Sequence, residues 1–400
     1  MEVSQFFVWY FSLDGKSPEC NFAVMHHLTL AEPVKLSPVI TLKPDQYICE
    51  DLNGAQLMCH AGGGTMSPLT ERRPFDETKD WNGKRLLFVR AGGFGDLVLM
   101  TPVFREIKRR WPNCILHVST MSGYSAVLSG LPYIDATIGY PVPEVQAKTY
   151  DCWVFFENAI EHNPLAQKMH MTDLFAEITG LTAKDGLAAE GGHPALDDYH
   201  ADYRVAPEET TWVLIQYPRK PGKKRLCMQV GASARCRQYP SGQFTEIVKE
   251  MLKAGWEVFI LGAPGEIPKV PNIPDLYNLT SVNTTFRQSC AVINNSDAFV
   301  GNDSALLHVA GALKIPAVGL YGPFPWNLRT KYEETTFSFQ GKGDCAPCFH
   351  HQNPFLGNAF PEHCPSKDKG YCQVLASIDI KRIISKIESI AKSAELQVLE

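Results

Sequence analysis

Two segments some two hundred residues apart constrain this chain more than anything else in it. RLLFVRAGGFGDLVLMTPVFREIKRRWP covers residues 85–112, and DAFVGNDSALLHVAGALKIPAVGLYGP covers residues 297–323. Each reads as an apolar strand, a tight polar loop and a helix with apolar residues at helical spacing. Each also sets an aspartate at the loop, Asp96 in one and Asp303 in the other. Two such units, one per half, predict two facing α/β domains with a ligand held between them.

The rest of the chain fits around that pair. Four hundred residues exceed one ordinary core, so two or three domains are expected. Residues 1–80 hold short apolar or alternating runs (FFVWYFSL, FAVMHHLTL, VITL, YICEDL) split by turn formers, the pattern of a small β-rich N-terminal domain. Residues 84–205 alternate strand and helix: RLLFVRA, then LVLMTPVFREIKRR, ILHVST, SAVLSGL as a second helix, and YDCWVFFEN. A linker is expected within 184–224, where periodicity fails. A second Rossmann-like unit then spans 225–375, with SGQFTEIVKEMLKAG as a helix capped by Ser241. The tail, 376–400, has a 3.6-residue period and predicts an amphipathic helix.

Charge and length of apolar runs exclude some functions. The net charge of −5 gives no global basic field to attract nucleic acid. Lys108-Arg109-Arg110 and the cations of 219–225 read as solvated helix-end and loop charge. No apolar run approaches the roughly 20 residues of a membrane span, and the N-terminus lacks the basic region of a secretory signal. A cytoplasmic protein is expected, with peripheral contact at the inner membrane left open. Twelve cysteines then read as thiols or metal ligands rather than disulfides.

Four sites carry chemistry. In GGFGD, the loop Gly93-Phe94-Gly95 lacks the third glycine of a dinucleotide fingerprint and the lysine of a P-loop. Asp96 would repel phosphate there, but suits a general base at a strand's C-terminal edge; the plain alternative is capping of a helix 97–110. In GNDSALLHVA, Asn302, Asp303 and Ser304 open a helix whose end offers amides and positive potential to a diphosphate, with plain capping again the alternative. His308, one turn on, reads as a satisfied structural histidine. In VGASARCRQYP, a strand ends at Gly231 and the loop presents Arg235 and Arg237, guanidinium groups able to clamp a departing diphosphate. Last, Cys345, Cys348, Cys364 and Cys372 stand at C-x2-C-x15-C-x7-C, the pattern of a small finger stapled by zinc or iron, with His350, His351 and His363 as substitute ligands. All-protein ligation makes such a site structural rather than catalytic.

VRAGGFGDLVLMTPVFREIKRRWPNCILHVST resembles the opening of the ADP-heptose heptosyltransferases, which build the lipopolysaccharide core. VGNDSALLHVAGALKIPAVGLYGPFPW resembles their donor-binding segment, and GASARCRQYPSGQF the segment with a basic residue before an aromatic-Pro pair. The cysteine finger 345–372 with an extra N-terminal domain is similar to the bacterial autotransporter heptosyltransferases, which modify hydroxyl side chains of adhesins. The resemblance covers about residues 84–375. It implies a GT-B fold and inverting transfer from a nucleotide sugar, ADP-heptose by this likeness, without a catalytic metal. It makes Asp96 the general base, Arg237 the cation at the pyrophosphate where the family usually has lysine, and Asp303 a contact to the donor ribose. The family's Pro-Asp-Thr-Gly is replaced here by Asn302-Asp303-Ser304-Ala305, which leaves the sugar open. Other readings are a lipopolysaccharide-core heptosyltransferase, a same-fold transferase with another donor or acceptor (a modified nucleobase among them), and a non-catalytic sugar-nucleotide scaffold. The acceptor, protein or glycolipid, and any homo-oligomer are not encoded in a readable form.

Overall fold

The computed structural model describes residues 26–37, 40–42, 45–49, 64–68, 73–157, 159–160, 163–181, 196–263, 266, 273–282, 284–350, 360 and 363–398. The chain forms two compact units: Met1–Gly93 with Met100–Tyr199, and Phe94–Leu99 with His200–Glu400.

The first unit opens with strands β1 (His26–Thr29), β2 (Val34–Ser37), β3 (Ile40–Leu42), β4 (Gln46–Cys49) and β5 (Thr65–Pro68). The α/β part follows: β6 (Arg85–Val89), α1 (Phe94–Arg110), β7 (Ile115–Thr120), β8 (Ala136–Gly139), β9 (Val142–Pro143), α2 (Glu144–Ala147), β10 (Cys152–Phe155) and α3 (Met171–Thr179). A parallel sheet runs in the order β10-β6-β7-β8, so the order reverses between β6 and β10. β6 and β10 are short apolar runs buried on both faces, as parallel strands covered by helices are, while β8 at the sheet's edge is partly exposed.

Of the N-terminal β runs, the first, FFVWYFSL, lies outside the described residues. Of the others, β1 and β4 lie in an antiparallel sheet, β5-β1-β4-β9, whose last strand comes from residues 142–143, while β3, from VITL, pairs with β2 in a separate two-stranded antiparallel sheet. Leu28 and Ile48 share one buried apolar cluster with Leu87, Val89, Tyr140 and Trp153.

Two helix expectations are corrected here. SAVLSGL is a single 3-10 turn, Ser125–Leu128, because Gly130 at φ 80° and Pro132 stop it before an α-helix can propagate. The helix expected over 97–110 begins three residues earlier, at Phe94, since Gly93 adopts φ 95° and turns the chain into it at once.

The second unit comprises α4 (Pro207–Gln216), β11 (Arg225–Gln229), α5 (Ser241–Lys253), β12 (Glu257–Leu261), β13 (Leu276–Asn278), α6 (Phe286–Asn294), β14 (Ala298–Asn302), α7 (Ala305–Ala312), β15 (Ala317–Tyr321), β16 (Thr336–Gln340), α8 (Gln373–Ala376) and α9 (Ile380–Val398). Helix α4 falls in the expected linker. Pro207 starts it and the Glu209 carboxylate accepts from the Ala206 amide at 2.8 Å, a local signal that overrides weak periodicity. Ser241 opens α5 from the first helical position, with Pro240 as N-cap. The six-stranded sheet is parallel throughout, in the order β13-β12-β11-β14-β15-β16. Counted from β11, that is 3-2-1-4-5-6, the doubly wound order, with its switch between β11 and β14. Ile383, Ile387 and Ala391 set one face of α9 into this unit's core beside Ile247, Val300 and Val318.

Candidate functional site

Open α/β sheets bind ligands at the strand C-termini where the order reverses. In the second unit those are the ends of β11 and β14, and the sequence places Gly231, Arg237 and Asp303 just beyond them.

Asn302 ends β14 and is fully buried. Its Oδ1 accepts from the Tyr239 amide at 2.9 Å, and its Nδ2 donates to the carbonyls of Val230 at 2.9 Å and Gly231 at 3.3 Å. The side chain is therefore a strut between the two loops. Tyr239 is held from its other end by a hydroxyl donated to the Ile378 carbonyl at 2.7 Å. This fixes the one-turn 3-10 helix Arg235–Arg237 that separates the two arginines. Arg237 Nη1 donates to the Asp303 carbonyl at 3.3 Å and stands 3.8 Å from Asp303 Oδ2, while Nη2 donates to Ser233 Oγ. Arg235 is exposed and its guanidinium lies on the side of Gly370. The structure thus brings Arg237 to Asp303 and leaves Arg235 apart.

Asp303 does not cap α7. The N-cap is Ser304, which makes no side-chain bond to the helix amides; its hydroxyl instead donates to Gln229 Oε1. The helix end, with Ala305 first, is left open to an anion. Asp303 Oδ2 and Arg237 Nε are both buried without a hydrogen-bond partner among the described residues. Such orphaned atoms are costly in a finished core.

Two residues near these groups, Glu266 and Arg329, carried no sequence signal. Glu266 lies against Gly231: a Cβ on that glycine would stand 1.9 Å from Glu266 Oε2, so only glycine permits the approach. The same carboxylate accepts from the Ala263 amide at 2.9 Å, leaving it beside the end of β11 with capacity for hydroxyl donors. His308 Nδ1 meets Glu333 Oε1 at 2.8 Å in full burial, which satisfies it as a structural histidine. Arg329, in the turn after β15, is buried and feels Asp303, Arg237, Tyr321 and Asp96 electrostatically; burial itself pushes its guanidinium below the usual range.

Asp96 stands in the first turn of α1, one of the residues that group with the second unit. It is partly buried, and Gly93, not Asp96, occupies the N-cap. The same turn stacks Phe94 on Phe286 at 4.1 Å and sets Gly95 against Ala305 and His308. The loop leading in is held from the first unit's side by Arg90, whose Nε donates to the Gly92 carbonyl at 3.0 Å and whose Nη1 donates to the Phe156 carbonyl at 2.6 Å.

The four finger cysteines share one region. Cys372 is buried, and its thiol and that of Cys348 are pushed up by burial and by the neighbouring finger thiols. Four thiols suit a soft cation, but among the described residues no three Cys, His, Asp or Glu side chains stand together as a metal site. His351 lies outside the described residues.

The chain is thus two α/β units built on parallel sheets, one with a carboxylate, a guanidinium and an uncapped helix end at its switch point. The glycosyltransferase family 9 (heptosyltransferase) model matches residues 111–358. The chain belongs to that family and is a glycosyltransferase. It is similar to lipopolysaccharide heptosyltransferase 2 of Salmonella typhimurium, 24% identical over 60% of this chain and 83% of that protein. Its fold resembles E. coli ADP-heptose lipopolysaccharide heptosyltransferase II, with a TM-score of 0.55, 18% identity and coverage of 78% of this chain and 99% of that one. It also resembles the dodecameric iron-containing heptosyltransferase TibC in complex with ADP-D-β-D-heptose, with a TM-score of 0.57, 12% identity and 92% coverage of both chains. Among the described residues no helix is long and apolar enough to cross a membrane.

Proposed function

We propose that this enzyme transfers heptose from ADP-heptose to a hydroxyl acceptor with inversion, the acceptor being a Ser or Thr side chain of an autotransporter adhesin. The observation that carries the donor half is the cluster at the β11/β14 switch point: Arg237 against Asp303, beside a helix end that no side chain caps. The likeness to the iron-containing heptosyltransferase TibC over 92% of this chain, beside the cysteine finger, supports the adhesin reading through the resemblance to the autotransporter enzymes. The curated relatives are lipopolysaccharide heptosyltransferases, which supports a glycolipid acceptor as the second reading. Incubation with ADP-heptose and each acceptor class, read by intact-mass spectrometry, separates them: a heptose increment on lipopolysaccharide core alone sinks the protein acceptor.

In the proposed step the acceptor hydroxyl attacks the anomeric carbon and gives its proton to the Asp96 carboxylate. The bond from that carbon to the phosphate oxygen breaks, and the nucleoside diphosphate departs with the electron pair. Arg237 and the open amides of α7 stabilise the charge that grows there. Glu266 accepts hydroxyls of the bound nucleotide. Replacing Arg237 with Met is expected to lower kcat by about 10²–10³, the usual effect of losing one such donor, while Arg237→Lys keeps most of it. A Met variant at wild-type rate removes Arg237 from the leaving-group role.

The finger is proposed as a structural iron or zinc staple held by Cys345, Cys348, Cys364 and Cys372. No reaction step passes through it. Elemental analysis of purified protein should find about one metal per chain, lost on chelation together with several degrees of melting temperature. A metal-free protein with an unchanged melt overturns the staple. The reading places the enzyme in the cytoplasm, reaching its acceptor there or at the inner membrane surface.

A further inference from the structure

Arg329 is the least explained charge in the second unit. It is only 5% exposed. Its guanidinium lies 4.8 Å over the Phe324 ring, and Nη1 donates to the Leu328 carbonyl at 3.1 Å. Among the described residues no carboxylate lies within ion-pairing distance of it. Arg225, the other deeply buried arginine of this unit, shows what a structural cation looks like: Nε donates to Glu257 at 3.0 Å and Nη2 to the Tyr217 carbonyl at 2.6 Å. A buried cation left without an anion is expensive, and proteins rarely keep one that no ligand uses. Arg329 follows β15, whose C-terminal end adjoins that of β14, so it lies on the edge of the sheet that carries Asp303. Asp303 attracts its charge most, Arg237 repels it, and Tyr321 and Asp96 attract it less. The orphaned Asp303 Oδ2 and Arg237 Nε belong to the same cluster.

The geometry points to Arg329 as a second cation of the donor site, placed to bind a phosphate of the nucleoside diphosphate together with Arg237. This rests on the donor reading above and adds a residue to it. Two guanidinium groups and the positive end of α7 offset Asp96 and Asp303, so a diphosphate meets a favourable field where one arginine alone would leave it facing two carboxylates. Stacking on Phe324 fixes the plane of the fork without consuming its donors.

The test uses the full chain, Arg329→Met and Arg329→Lys, with titration calorimetry against ADP, inorganic pyrophosphate and adenosine, and a thermal melt without ligand. Arg329→Met should weaken ADP and pyrophosphate by about tenfold or more and leave adenosine unchanged, as expected for losing a charge-assisted contact. Arg329→Lys should recover part of that loss. The ligand-free melt of Arg329→Met should not fall, because the variant removes an unpaired buried charge. Unchanged ADP affinity overturns the inference, as does an equal loss for adenosine. A Met variant that melts early or does not fold assigns Arg329 to structure and overturns it too. Wild-type protein that binds neither ADP nor pyrophosphate sinks the donor reading itself, and this inference with it.

Discussion

Asp96→Asn is expected to lower kcat/KM by about 10²–10⁴, the range for a positioned general base, with an unchanged melt. The amide keeps the shape of the carboxylate but cannot take the acceptor proton. Two features make the effect chemical rather than structural. Gly93 holds the N-cap position of α1, so the helix start does not depend on an Asp96 cap. The turn is fixed by other contacts, Phe94 on Phe286 and Gly95 against Ala305 and His308. Donor binding, measured by titration with ADP, should change little, because Arg237 and α7 supply that affinity. An Asn variant that transfers sugar at the wild-type rate places the base elsewhere; one that loses ADP binding as well gives Asp96 a donor role.

The largest effect on stability is expected far from the chemistry, at Glu257. Arg225 and Glu257 are paired at 3.0 Å with each side chain 1% exposed, at the opposite ends of β11 and β12 from the site. The pair is satisfied on all sides: Tyr217 and Phe259 attend the arginine, and Tyr277 donates to Glu257 Oε1 at 3.2 Å. Glu257→Gln leaves Arg225 charged, buried and without its counter-ion, a loss of about 3–5 kcal/mol. That is a third or more of the roughly 5–15 kcal/mol that holds a typical domain. Urea unfolding should show the midpoint falling with little change in slope. Replacing both residues, Arg225→Met with Glu257→Leu, should return much of the loss, since the desolvation cost vanishes with the charges. A Gln variant within about 1 kcal/mol of wild type would mean that water reaches the pair.

The alternation of strand and helix was legible because parallel strands buried on both faces leave uninterrupted apolar runs, such as RLLFV and AVGLY. The helix at SAVLSGL was misread because periodicity says nothing of length, and Gly130 with Pro132 ends it after one turn. At the site, Asp96, Arg237 and Asp303 stood out because loop motifs carry local chemistry. Asn302 stood out for the wrong reason: a strong capping type by composition, it spends its amide on backbone groups 63 and 72 positions away. Arg329 and Glu266 were invisible. What distinguishes them is burial without an ion pair in one case and contact with Gly231 in the other, and both arise only when distant segments fold together.

The Asn302 amide also sets the unit in which this enzyme can be altered. One side chain serves both the loop after β11 and the end of β14. The partners are all backbone groups, so side chains of residues 230–239 can be exchanged beneath the strut, whereas replacing Asn302 strands the Tyr239 amide and the carbonyls of Val230 and Gly231 together. The loop is free to vary and its anchor is not, a design rule written in three hydrogen bonds.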